Sequence, residues 1–425
     1  MKVLVVGGGG REHTILWKLA QSPMKPELYA APGNGGISQI ATCVNIKATD
    51  VDGIVSYAKE NKMDFVVVAP DDPLMLGMVD RLEAEGIKAF GPRQNAAIIE
   101  GSKVFSKELM KKYQIPTAAY EVFSDSKDAI SYLETVSYPT VIKAEGLALG
   151  KGVIIAESFE EAKAAVNDMM CDKVFGDAGN RVVVEEFLTG NEVSVLAFTD
   201  GKTIYPMVSA QDHKRAYDND EGLNTGGMGT FSPSRLYTDS IHEECMKNIF
   251  LPTVEAMNKE GRTFKGVLYF GLIMTKNGVK VIEYNARFGD PETQVVLPRL
   301  KTDLLEIFMA VSDERLGEIT IEWEDNAAVC VVMASGGYPK KYETGFAISG
   351  LDAAEADPDL TVFHAGTKCD GETFLTAGGR VLGVTAVASD LETAISKAYD
   401  GVSKISFEGA HFRRDIGRKK EIVFN

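Results

Sequence analysis

No CxxC pair, no long apolar run and no basic surplus occur in this chain, and each absence closes off a class of function. The five cysteines, Cys43, Cys171, Cys245, Cys330 and Cys369, are scattered along 425 residues. An odd, dispersed set reads as reduced thiols, neither a disulfide framework nor a zinc site. No stretch approaches a membrane span, and the apolar start at 3–6, ended by four glycines, is too short for a signal-peptide core. A cytoplasmic protein is expected. Lysine and arginine are outnumbered by acids, giving a net charge of −16. That charge argues against nucleic acid, which needs a basic face. It leaves anionic small molecules open, because salt screens surface fields within about 10 Å and a cleft can keep its own cations. Repeats and low-complexity tracts are missing too.

The length suggests two to four domains. At the start, KVLVV runs into Gly7, Gly8, Gly9 and Gly10. A helix is expected over 11–20, with Ile15, Leu16, Leu19 and Ala20 at helical spacing. LYAA precedes Pro32-Gly33-Asn34, and FVVVA at 65–69 precedes Pro70-Asp71-Asp72-Pro73. Strands alternating with helices imply a parallel sheet with its loops at the carboxyl edge. Gly91-Pro92 and the acidic stretch 312–326 read as boundaries, leaving a small α+β unit with strands AAVCVVMA and RVLGVTAVA. A polar, Gly-rich stretch at 209–232 is too long for a simple connector and is expected as a functional or disordered loop.

Two stretches carry chemistry. KAEGLALGKGV at 143–153 closes an apolar strand with Lys143 and continues into a glycine-rich loop with Lys151. It is no Walker A motif: three residues separate Gly146 from Gly150 where four are required, and Gly152 replaces the Ser or Thr. A hairpin that covers phosphates fits better, and an inward Lys143 calls for an anion. VIEYNARFGDPE at 281–292 puts Glu283 and Asn285 on one face of a strand, an oxygen pair suited to Mg2+, with Arg287, Asp290 and Glu292 just beyond. The glycines at 7–10 suit a phosphate seat at a helix N-terminus, with Arg11 adding charge. They do not make a dinucleotide site. The sixth position of GxGxxG falls on Glu12 or His13, and Ala30-Ala31-Pro32 stands where the ribose-binding acid belongs. A nicotinamide oxidoreductase is therefore disfavoured. In QDHKRAYDNDEGLNTGGMG at 211–229, Asp212, His213, Lys214 and Arg215 beside a Gly-rich hinge favour an anion-binding loop. VVVEEFL at 182–188 reads as a buried strand carrying Glu185 and Glu186, with Glu192 after a turn.

With these residues assembled, the chain closely resembles the phosphoribosylamine–glycine ligases of purine biosynthesis, members of the ATP-grasp superfamily. The resemblance is carried by GGGGREH at 7–13, APGN at 31–34, EGSKVFSK at 100–107, KAEGLALGKGV, FGDAG at 175–179, VVVEEFL, the 211–229 loop, NARFGDPETQ at 285–294, HAGT at 364–367, GGRVL at 378–382 and FRRDIG at 412–417. It departs from the family pattern at Glu145, Leu149 and Leu223, and at Ala69-Pro70-Asp71, where the family has Gly-Pro-Glu. The last change shortens an acid on the sheet edge.

The resemblance implies α/β and α+β domains: a Rossmann-like unit over 1–101 that binds phosphoribosylamine, an ATP-grasp unit over 102–325 with a mobile lid at about 120–190, and a small C-terminal α+β unit over 326–425. It implies that Lys103 and Lys143 contact ATP phosphates and that the loop with Gly146, Gly150, Lys151 and Gly152 closes over them. Glu185, the Glu186 backbone and Leu188 would hold adenine, Glu192 the ribose, and Glu283 and Asn285 Mg2+ or Mn2+. Gly9, Gly10, Arg11, Glu12, Gly33, Asn34 and Asp212 would line the phosphoribosylamine side. Arg287 would orient the glycine carboxylate, Asp290 or Glu292 would receive its ammonium, and Lys214 and His213 would assist attack by the amine. Small-molecule partners, no nucleic acid, no membrane, and a monomer or weak dimer are expected. A sister ATP-grasp ligase or carboxylase would lack the GGGGREH and APGN loops. A non-catalytic nucleotide-binding module would have little reason to keep both metal ligands and both phosphate lysines.

Overall fold

The computed structural model describes residues 1–146 and 152–418. Strand β1 (Lys2–Gly7) shows how the N-terminal unit is built. Val3 and Val5 enter one apolar cluster and Leu4 and Val6 another, and all four are fully buried. A strand buried on both faces belongs at the centre of a parallel sheet covered on both sides. β1 lies so, among β2 (Glu27–Pro32), β3 (Thr42–Cys43), β4 (Phe65–Val68) and β5 (Lys88–Phe90), in the order β3-β2-β1-β4-β5, all parallel. The first helix, Gly10–Leu19, starts one residue earlier than expected because the Glu12 carboxylate accepts the Gly9 N–H at 2.6 Å and caps its first turn.

Strands β6 (Tyr120–Phe123), β7 (Thr140–Ala144), β8 (Val153–Ala156) and β9 (Val182–Glu186) form an antiparallel sheet in the order β6-β9-β7-β8. With the helices Ser126–Leu133 and Phe159–Val166 it encloses a core of its own, including Ala129, Leu133, Ile142 and Ala162. The expected hairpin is the β7–β8 pair, in which Lys143 lies opposite Val153. Gly150 and Lys151 lie outside the described residues.

Beyond β10 (Asn191–Thr199) and β11 (Ile204–Pro206), the stretch expected as a loop instead folds into β12 (Gln211–Asp212), β13 (Arg215–Tyr217), β14 (Glu221–Asn224) and β15 (Gly229–Ser232). Strands β16 (Gly266–Thr275) and β17 (Gly278–Asn285) complete a second antiparallel sheet, β11-β10-β16-β17. The C-terminal unit holds β18 (Ala327–Ala334), β19 (Leu360–His364), the hairpin β20 (Thr367–Asp370) and β21 (Thr373–Thr376), and β22 (Arg380–Ala388). Its main sheet runs β12-β15-β18-β22-β19. Two of its five strands therefore come from the 209–232 stretch, whose partner β18 lies far along the chain.

Three buried histidines sit where this C-terminal unit docks. His13 Nδ1 accepts the His364 N–H at 2.8 Å. His213 Nε2 accepts the Gly417 N–H at 3.3 Å, and its Nδ1 lies 3.4 Å from the Gly229 carbonyl. Burial, with His364 adding, pushes His13 down to about 3, and burial pushes His213 and His364 down to about 4. Each is neutral in the fold but protonates near 6.5 once unfolded. The unfolded chain thus binds more protons below that pH, so stability is complete above 6.5 and is lost as pH falls. The calorimetric unfolding midpoint should therefore drop between pH 6.5 and 5, the three histidines outweighing Asp212, whose raised carboxyl works in the opposite direction. A flat midpoint over that window would contradict the assignment.

Candidate active site

A single irregularity in β17 creates the floor of the cleft. Val279 and Val281 enter the core by strict alternation, which by itself would send Glu283 and Asn285 inward as well. The register with β16 instead shifts at Ile282, leaving it as an extra residue. Tyr284 and Ala286 then return to the core, while Glu283 and Asn285 face outward. Opposite Glu283 stands Gly271, where a Cβ would sit 3.0 Å from the Glu283 Cγ. The bulged Ile282 turns its carbonyl to the Lys143 Nζ at 3.2 Å, so β7 of one sheet is tied to β17 of the other. Glu186 and Lys280 make a second tie at 2.8 Å.

Cations converge on this floor. Lys143 is buried and pairs with Glu185 at 3.0 Å, and the other Glu185 oxygen pairs with buried Lys107 at 2.9 Å. Lys103 donates to the Gly146 carbonyl at 3.0 Å. Lys214 reaches Glu192 at 3.3 Å and Glu283 at 3.9 Å. Burial alone would raise the Glu283 carboxyl, but Lys214, Lys143, Lys103 and Arg287 outweigh it and hold it below the usual carboxylate range. Glu192, against burial, raises Lys214 well above its ordinary value, with Asp212 and Glu283 adding. Burial pushes Asp212 up to about 7 despite the pull of Lys214, and the Glu292, Glu192 and Glu283 carboxylates push the same way.

Arg287 is fixed by carboxylates. Its guanidinium lies 3.1 Å from Glu100, 3.8 Å from Asp71 and 3.4 Å from the Asn285 Oδ1. Glu100 also accepts the Ala286 N–H at 2.7 Å, which anchors the turn after β17. Glu292 is buried and accepts from the Tyr269 hydroxyl at 2.9 Å and the Ser194 hydroxyl at 3.2 Å. Asp290 is held by Arg380 at 3.4 Å, by the Gln294 amide at 2.9 Å and by the Arg11 N–H at 3.4 Å.

Lys103, Lys143, Glu185, Lys214, Glu192, Glu283, Asn285 and Arg287 are brought together, with Asp212 and Glu292 on their border. Glu186 N–H is already bonded to the Ala119 carbonyl at 2.9 Å, while Leu188 follows on the same strand end, half-buried. His213 is not in this group, since backbone from the C-terminal unit and β15 occupies both its nitrogens. The N-terminal glycine loop is also less open than its sequence suggests. Glu12 caps Gly9, Asp290 faces the Arg11 N–H, and the Arg11 side chain pairs with Glu12 at 2.6 Å and the Phe288 carbonyl at 3.1 Å. Gly10 is pressed against Gln294, where a Cβ would meet the amide at 2.6 Å. Asn34 latches the Gly33 turn by donating to the Gly8 carbonyl at 2.9 Å and the His364 carbonyl at 2.8 Å.

Sequence reasoning missed Lys107, Glu100, Tyr269 and Arg380. One signal was available for Lys107: it stands four residues after Lys103, hence on the same face of the helix Lys103–Lys112.

Two antiparallel sheets meeting across a lysine-lined cleft, beside a parallel N-terminal sheet, define an ATP-grasp enzyme. Family profiles described as phosphoribosylglycinamide synthetase match the chain in three parts: the N domain at 1–100, the ATP-grasp (A) domain at 101–293 and the C domain at 328–419. The phosphoribosylamine–glycine ligase of Halalkalibacterium halodurans is 51% identical over 99% of this chain and 97% of its own. The crystal structure of the phosphoribosylamine–glycine ligase of Thermotoga maritima superposes with a TM-score of 0.86 at 32% identity, covering 98% of this chain and 100% of that one. A biotin carboxylase domain from Hydrogenobacter thermophilus, solved with MgADP, ADP and bicarbonate, shares the fold alone: TM-score 0.73, 17% identity, 97% and 91% of the two chains. The chain belongs to the phosphoribosylglycinamide synthetase family, the phosphoribosylamine–glycine ligases. Family membership carries ATP use and a divalent cation. No helix among the described residues is long and apolar enough to cross a membrane.

The Lys107–Glu185–Lys143 chain of charges yields a stability prediction. Glu185→Leu leaves two buried ammonium groups without their shared carboxylate, and breaking a buried pair from one side costs roughly 3–5 kcal/mol. The urea midpoint of the variant should fall accordingly. A midpoint within error of the parent would mean that the three groups are not buried together in solution.

Proposed function

We propose that this chain joins glycine to 5-phosphoribosylamine, converting ATP to ADP and phosphate by way of a glycyl phosphate. The observation that carries the site assignment is that two of the five buried side-chain polar atoms without a hydrogen-bond partner among the described residues lie here: the Glu185 Oε1, which makes only its ion pair, and the Arg287 Nε. One is an acceptor at the end of β9, suited to the amino group of adenine. The other is a donor beside Glu283, suited to the carboxylate of glycine. Buried polar groups are rarely left without a full set of partners, so an acceptor among the lysines and a donor beside Glu283 support a nucleotide at the first and glycine at the second.

In this reading Lys103 and Lys143 hold the ATP phosphates, Glu186 and Leu188 border the base, and Glu192 meets the ribose. The loop with Gly146, Gly150, Lys151 and Gly152 acts as a lid, which suits an acyl phosphate that water would destroy. Glu283, held ionised, and Asn285 offer two side-chain oxygens. Among the described residues no group of three His, Cys, Asp or Glu side chains is placed to hold a metal. An oxygen pair that leaves most positions to phosphate and water fits Mg2+, and Mn2+ as a substitute. Bound there, such an ion would neutralise charge on the transferring phosphoryl group.

Arg287, positioned by Glu100, orients the glycine carboxylate so that its oxygen attacks the terminal phosphorus as ADP leaves. Glu292 or Asp290 would receive the glycine ammonium. The amine of phosphoribosylamine then attacks the acyl carbon, phosphate leaves, and Lys214 balances the charge that builds on the acyl oxygen. Gly9, Gly10, Arg11, Glu12, Gly33, Asn34 and Asp212 form the phosphoribosylamine side. The Glu12 carboxylate there suits a sugar hydroxyl, and Arg11 suits the phosphate. A monomer or weak dimer fits this reading. Five free thiols and small-molecule substrates suit the cytoplasm.

Glycine labelled with oxygen-18 in its carboxylate should deliver one labelled oxygen to inorganic phosphate. Label found only in the amide product and unreacted glycine would remove the acyl phosphate from the mechanism. Arg287→Lys keeps the charge but loses the planar fork. Loss of a charge-assisted contact worth roughly 1.5–3 kcal/mol should raise the Michaelis constant for glycine about ten-fold or more while leaving that for ATP near its parent value. If the ATP constant moves instead, Arg287 serves the nucleotide.

A further inference from the structure

Two of the free cysteines, far apart in sequence, meet at one loop. Cys43 ends β3 at the edge of the N-terminal sheet, and Cys369 lies in the β20–β21 hairpin of the C-terminal unit; both are exposed. The Cys43 Sγ lies 3.9 Å from the Asn34 carbonyl and the Cys369 Sγ lies 3.4 Å from the next carbonyl, that of Gly35. The loop between them is held from both sides. The Gly35 N–H donates to the Thr367 carbonyl at 3.0 Å, and a Cβ at Gly33 would sit 2.4 Å from the Cys43 Sγ. Burial raises the Cys43 thiol, and Cys369 adds to that rise.

We propose that Cys43 and Cys369 form a reversible disulfide that staples the N-terminal sheet to the C-terminal unit across the Gly33–Asn34 turn and lowers use of phosphoribosylamine. The kinetic half of this proposal rests on the reading that the turn faces that substrate. The oxidant is a small disulfide or hydrogen peroxide. Both S–H bonds break, one S–S bond forms, and the two protons and two electrons convert the external disulfide to two thiols or peroxide to two waters. The bridge requires the exposed Cys369 side chain to turn its sulfur from the Gly35 carbonyl toward the neighbouring Asn34 carbonyl, beside which Cys43 lies.

The test treats the full-length chain with oxidised glutathione and reads both peptide masses and kinetics. A Cys43–Cys369 peptide pair lighter by two hydrogens should appear and vanish with dithiothreitol, while exposed Cys171 stays out of it. The Michaelis constant for phosphoribosylamine should rise several-fold on oxidation, with that for ATP unchanged. Cys43→Ser and Cys369→Ser should abolish both the bridge and the shift. No bridged pair from the folded chain, or glutathione on each cysteine singly, overturns the proposal, as does a bridge that leaves every constant unchanged. A bridge whose shift falls on glycine or ATP keeps the staple and overturns the assignment of the turn to phosphoribosylamine.

Discussion

Strand β17 packs Val279, Val281 and Tyr284 into the core while holding Glu283 and Asn285 out of it, and only the extra residue at Ile282 lets one strand do both. Much of the cleft follows from that bulge. It frees the Ile282 carbonyl for Lys143, sets Glu283 among four cations, and delivers Ala286 to Glu100, which in turn fixes Arg287. Without it, two polar side chains would enter an apolar core unpaired, at a cost of several kcal/mol. The packing of the core and the geometry of the site are therefore settled by the same residue.

Charge is arranged in alternation through the cleft. Lys107, Glu185, Lys143, Glu283, Lys214 and Glu192 form a sequence in which each ion has an opposite neighbour, running from the buried Lys107, Glu185 and Lys143 out to the exposed Glu192. Such a chain of charges is poised to accept a polyanion and a cation together, since adding both disturbs the local balance less than adding either alone. This gives a physical reason for a chain with net charge −16 to handle triphosphates.

The parallel N-terminal sheet was legible because its apolar runs and glycine-ended loops are local signals, and so was the β7–β8 hairpin. The pairing of Glu283 with Asn285 was readable from their spacing, but the bulge that aims them was not, because a register shift depends on the facing strand. The 209–232 stretch looked like a loop since its strands are short and two of them, β12 and β15, join a sheet through β18, which no local pattern announces. His213 read as a reactive group by its neighbours Asp212 and Lys214, yet its ring turns to the Gly417 backbone, a contact set by the C-terminal fold. Glu100 and Lys107 were hidden for a similar reason. Acidic and basic residues on helices are usually solvated, and only the tertiary partners Arg287 and Glu185 bury these two.

Strands β12 and β15 have a further meaning for the independence of the parts. They belong by sequence to the middle of the chain but by hydrogen bonding to the C-terminal sheet, where β15 covers the edge of β18 from Ala328 to Val331. A protein cut at the acidic stretch before β18 would expose that edge as a bare row of amides and carbonyls. The order of modules along the chain and the order in which they can exist are thus different. The last unit is not a detachable cassette but the outer half of an interlock, which would have to be inherited, shuffled or transplanted together with the segment that threads into it.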